Sequence, residues 1–128
     1  MDDPWLDESM AQFATMQYFT DRYGEQGMLA FRRELKGRWA YVSDQAIPVG
    51  LPVRDYSGVE YSGIVYGRGA LFFVELEKEI GSENFDEFMK NYVQNNAWDI
   101  STTEILQSQA EISCSCDLDD LFEEWIYP

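Results

Sequence analysis

Histidine is absent from all 128 residues, so the chain by itself brings no imidazole to a metal ion. Basic residues are scarce: nine Lys and Arg stand against 24 Asp and Glu, for a formal net charge of −15. That balance excludes binding to a nucleic-acid backbone or an anionic membrane surface. It favours a cationic partner, such as a peptide with a free amino terminus, although solubility alone accounts for it. The acids are spread along the chain rather than gathered in a tail. There are two cysteines, Cys114 and Cys116. A metal site would want a second pair or nearby histidines, and a disulfide two residues apart would be strained. Free thiols near a helix end are expected. No stretch is long and apolar enough to span a membrane. Met1-Asp2-Asp3 is acidic where a signal peptide needs a basic segment.

What is present is core material. Aromatic residues make up 16% of the chain. A chain of this length buries about two-thirds of its unfolded surface, so one domain without staples is expected. The apolar spacing is helical nearly throughout. Asp3-Pro4 reads as a cap followed by a proline at the first helical position, opening a helix that runs to about Tyr23 with Gly24 as its stop. Leu6, Met10, Phe13, Ala14 and Gln17 form its stripe, and Met16, Phe19 and Tyr23 widen it, which predicts burial on two sides. A second, amphipathic helix over roughly 25–43 carries Arg32, Arg33, Lys36 and Arg38 opposite Met28, Phe31, Leu35, Trp39 and Val42.

From Asp44 to Ser62 the pattern breaks at Pro48, Gly50, Pro52 and Gly58. Tyr56 and Tyr61 predict an ordered loop packed against the body. A third helix is expected over Ile64 to Ile80. Ala70-Leu71-Phe72-Phe73-Val74 is apolar on every face, so this helix should be central, and Gly81 ends it. Ser82 then caps a helix bearing Phe85, Phe88, Met89 and Tyr92. Ser101-Thr102-Thr103-Glu104 fits a capping box before Ile105-Leu106. Asp117 caps a last helix whose apolar face is Leu118, Leu121, Phe122, Trp125 and Ile126. Strand-like alternation is nearly absent, and there is no internal repeat. The expectation is a compact, irregular all-α array of about six helices.

Two residues stand out chemically. Glu8 is a carboxylate one turn into an apolar helix, where it must be exposed, paired or bound to metal. The helix dipole also favours acids there, so a solvated first-turn acid is the plain reading, and Asp7 beside it fits that reading well. Tyr66 heads Tyr66-Gly67-Arg68-Gly69. A tyrosine in such a place is usually an anchor bonded to backbone. It could equally donate to a developing oxyanion. Pitch and composition do not choose between these roles.

Pro4-Trp5-Leu6-Asp7-Glu8-Ser9-Met10-Ala11 resembles the segment that supplies the third zinc ligand in aminopeptidase N-like metallopeptidases. These are gluzincins, with a His-Glu-x-x-His helix shortly upstream. The family segment reads Trp-Leu-x-Glu-Gly-x-Ala, and its Glu binds zinc; the resemblance gives that role to Glu8. Tyr66-Gly67-Arg68-Gly69, followed by Ala70 to Ile80-Gly81, is similar to the family's Tyr-x-Lys-Gly and apolar helix. The resemblance gives Tyr66 the stabilisation of the tetrahedral transition state. Phe85, Tyr92, the Trp98 to Thr103 stretch, Asp117-Leu118 and Leu121-Phe122-Glu123-Glu124-Trp125 match the family's usual ending in order. The resemblance covers nearly the whole chain. Ser9 stands where the family has Gly, and Arg68 replaces the common Lys and keeps its charge.

The resemblance implies the helical lobe of a thermolysin-like catalytic domain, residues 1–128, cut downstream of its zinc-binding helix. Catalytic zinc takes three protein ligands plus water, and one carboxylate is a weak, unselective site at most. The isolated chain is therefore expected to hold no zinc tightly and to cleave nothing. In the longer parent, zinc would acidify its bound water and polarise the scissile carbonyl of a peptide substrate. The Asp44–Ser62 loop would line the cleft, and amino-terminal residues would be removed. Two other readings are a non-catalytic acidic helical module that recruits a basic partner, and an inactive homologue with altered histidines. The surface that would face the missing half is expected to be apolar and to drive self-association. No nucleic-acid or membrane partner is expected, and no cellular location is assigned.

Overall fold

A computed structural model describes residues 5–44, 46–96 and 102–128. Among them every regular element is helical. Trp5, Leu6, Phe13 and Met16 recur at helical spacing and are buried, on helix α1, Trp5–Ala40. Gly24, at φ 72° and ψ −156°, is its non-helical residue, so the two helices expected here are joined by a one-residue break. That conformation suits glycine, which lacks a Cβ. The two-sided burial expected of the first half does not hold: Ala14 and Tyr23 are exposed. The reason is tertiary. No residue between Met16 and Leu35 is fully buried, although Met28 and Phe31 pack partly buried against the core. Leu35 and Val42 return to it.

The loop after α1 is ordered. The Tyr56 hydroxyl faces the Pro48 and Val49 carbonyls as donor and accepts from the Leu51 N–H at 3.0 Å. Gly50 N–H reaches the Ile126 carbonyl at 2.9 Å and ties the loop to the far end of the chain. The helical run that follows starts at Gly58 rather than Ile64. Ser57 and Glu60 form a capping box, each side chain accepting from the other's backbone N–H, which satisfies two of the donors orphaned at a helix start. One α-turn, Gly58–Glu60, leads into a π-helical segment, Tyr61–Arg68, and then into α2, Gly69–Ile80.

Helix α2 is central, as its all-round apolarity predicts. Gly69 to Val74, Leu76 and Ile80 are buried. Phe72 packs edge-on against Trp5 at 5.7 Å and Phe122 at 4.9 Å, joining the two ends of the chain through one ring. Such tilted ring pairs add to the area they bury. Helices α3 (Ser82–Asn96), α4 (Thr103–Cys114) and α5 (Asp119–Trp125) close the core with Phe85, Phe88, Leu106 and Phe122. The Trp5 indole N–H donates to Thr103 Oγ1 at 3.0 Å inside this core.

Three local expectations need correction or relocation. Helix α4 is capped by Thr102, which accepts from the Ile105 N–H; Ser101 lies outside the described residues, as do Asp3-Pro4 and Trp98 to Ile100. Asp117 accepts from the Asp119 N–H at 2.8 Å, but the residue at the cap of α5 is Leu118. Cys114 and Cys116 are joined in a disulfide rather than free. Ser115, in the left-handed region at φ 52°, ends α4 and turns the chain back. This brings the two Cα atoms to 5.2 Å, within the span a disulfide bridges.

Candidate functional site

The two residues singled out chemically lie side by side. Glu8 sits in the first turn of α1 and is half-buried, whereas Asp7 beside it is exposed. Only Asp7 follows the plain reading of a solvated first-turn acid. The Glu8 carboxylate interacts with the Tyr66 hydroxyl of the π-helical segment. Hydrogen bonding to Glu8 is the largest cause holding the Tyr66 pKa above its ordinary 10.0. Burial and the Glu8 charge act in the same direction, and Arg38 opposes them. The phenol is therefore protonated throughout the neutral range and is a competent hydrogen-bond donor.

A third group belongs to this corner. Tyr61 stacks edge-on against Tyr66 at 5.5 Å, and Tyr56 of the preceding loop lies 6.0 Å from Tyr61. Burial raises the Tyr61 pKa, with the Glu8 charge adding to it. Tyr61 and Tyr66 are five residues apart. In an α-helix that is about 1.4 turns and opposite-leaning faces; in π geometry the i to i+5 step brings them into line.

The backbone here is held by close packing. Ser9, the residue after Glu8, is fully buried and donates its hydroxyl to the Val65 carbonyl at 2.6 Å. Gly69 permits that approach: a β-carbon there would overlap Ser9 Oγ and lie 2.9 Å from Ser9 Cβ. Arg68 turns away from the Glu8–Tyr66 pair. Its guanidinium lies 4.0 Å from the Trp125 ring centre and 4.9 Å from that of Trp39, and it donates to the Glu124 carbonyl at 3.3 Å. The positive charge that replaces the family's lysine is used in this stack.

Glu8 suits a metal as one carboxylate donor, but the described side chains that meet it are phenols, and the chain has no histidine. That set is not a complete zinc site. A separate acidic cluster, Glu111, Asp117 and Asp119, brings three carboxylates within 4.8 Å. One oxygen of each carboxylate accepts from Gln107 or from the backbone N–H groups of Leu118 and Asp119 at the start of α5. It serves as an end-cap for that helix.

Residues 2–125 match the family described as "Peptidase family M1 domain". A curated relative, "Probable aminopeptidase 1" of Saccharolobus solfataricus, is 22% identical over 130 residues, which cover 98% of this chain and 17% of the relative. The chain thus spans about a sixth of the length of the relative it matches. No solved structure matches it.

Proposed function

Because the chain belongs to peptidase family M1, we propose that it forms the helical part of the catalytic domain of a zinc-dependent aminopeptidase, with Glu8 as one zinc ligand and Tyr66 as the oxyanion donor. The remaining ligands and the general base would come from a His-Glu-x-x-His helix outside these residues. Zinc, when bound, polarises the scissile carbonyl and acidifies its water. The substrate would be a peptide with a free amino terminus, whose positive charge suits a chain of net charge −15.

The observation that carries this reading is the meeting of a half-buried carboxylate with a protonated phenol, from distant parts of the chain. The phenol keeps its proton beside the carboxylate, and turning that proton from Glu8 to a nearby oxygen on which negative charge develops would make it an oxyanion donor. The Tyr61 ring packs edge-on against that of Tyr66 at 5.5 Å, and Tyr56 packs against Tyr61 in turn. The test is Tyr66→Phe in the longer, histidine-bearing protein. Loss of one oxyanion donor lowers kcat by about 10²–10³, with KM little changed. An unchanged kcat removes Tyr66 from the mechanism.

A further inference from the structure

The Glu8–Tyr66 pair joins two elements that could slide past one another: the first turns of α1 and the π-helical segment Tyr61–Arg68. Ser9 sits on that seam. It follows Glu8 directly, and the carbonyl it bonds, Val65, directly precedes Tyr66. We infer that Ser9 is a positioning residue: by donating its hydroxyl to the Val65 carbonyl it locks the register between the helix that carries the carboxylate and the π-helical turn that carries the phenol.

Several features argue for a lock rather than a filler. The hydroxyl is fully buried, the bond is short at 2.6 Å, and it spans 56 residues of chain. A π-helical turn is uncommon and must be supported by its surroundings. Here one of its carbonyls is bound from outside the helix at the residue before Tyr66. Gly69 leaves the hydroxyl the space that any larger residue would fill. A slip of this seam by one residue would carry Glu8 and Tyr66 apart, and a buried hydroxyl left without its acceptor disfavours the slip.

The role in turnover rests on the aminopeptidase reading; the locking does not, so the two are tested separately. The locking is read from urea unfolding of the 128-residue chain as a double-mutant cycle of Glu8→Gln and Tyr66→Phe, repeated in a Ser9→Ala background. With Ser9 present the two sites should be coupled by a several-fold factor in the unfolding equilibrium. In Ser9→Ala that factor should fall to about one. The same factor in both backgrounds overturns the inference. If Ser9→Ala does not fold, Ser9→Cys replaces it; its weak thiol donor must lower the factor, and an unchanged factor is again fatal.

The role in turnover is read in the longer enzyme. Ser9→Ala should lower kcat roughly tenfold at unchanged KM and should have no further effect in a Tyr66→Phe background, as for residues acting as a unit. Equal losses in both backgrounds would make Ser9 merely structural and overturn its positioning role. A Tyr66→Phe enzyme with full kcat would overturn the aminopeptidase reading, leaving the coupling experiment to decide the lock alone.

Discussion

Arg68→Lys keeps a charge and removes a shape. The Arg68 guanidinium lies 4.9 Å from the Trp39 ring centre and 4.0 Å from that of Trp125, and it also bonds the Glu124 carbonyl. Burial pushes its pKa below the ordinary guanidinium value, partly offset by the Glu124 charge. A cation over an aromatic face contributes about 0.5–1 kcal/mol when exposed and about 2 kcal/mol when desolvated. A planar guanidinium can stack between two rings and still donate in its plane, which an ammonium cannot. Lysine should therefore forfeit roughly one of the two ring contacts and part of a hydrogen bond, about 1–2 kcal/mol. With a urea dependence of about 1–3 kcal/mol per molar, the unfolding midpoint should fall by roughly 0.3–2 M. Arg68→Met, which keeps some apolar reach and loses the charge, should fall further. A lysine variant that unfolds at the wild-type midpoint would show that the stack contributes nothing beyond its charge.

Other perturbations follow from single contacts. Thr103→Val strands the buried Trp5 indole N–H, which now donates to Thr103 Oγ1; the expected loss is about 1–3 kcal/mol, and calorimetry showing no shift would remove that bond from the core's support. Glu77 has its pKa raised above 4.5, first by burial and then by the Asp86 charge. A raised carboxyl pKa means the folded state holds the proton more tightly, so the contribution is favourable below 4.5 and is lost as pH rises through the folded value. Glu77→Gln should therefore unfold at higher urea than wild type at pH 7, with the gap narrowing towards pH 5. A gap that widens on acidification would reverse the sign.

Much of the fold was legible because helices announce themselves locally. The Gly81 stop and the all-round apolarity of Ala70 to Val74 mark where α2 ends and that it is central. The capping box at Ser57 and Glu60 is equally present in the sequence, inside a segment rich in Pro and Gly. The π-helical segment was not legible. Spacing rules know periods of 3.6 and 2, so they do not align Tyr61 with Tyr66, and they do not reveal the acceptor of the Ser9 hydroxyl. The Cys114–Cys116 bridge depends on one left-handed residue, Ser115, which composition does not reveal. The exposure of Ala14 and Tyr23 depends on which face of α1 meets the other helices, a tertiary fact that no helical stripe contains. Glu8 and Tyr66 stand out through their motifs; spacing alone favours the plain reading of Glu8 and does not choose a role for Tyr66.

The most direct test of the proposed zinc role is the metal content, after exhaustive dialysis, of a protein that joins this chain to the proposed His-Glu-x-x-His helix, with and without Glu8→Ala. The expected result is about one zinc per wild-type chain and little in the variant. Undiminished zinc in Glu8→Ala would contradict the assignment of Glu8 as a ligand.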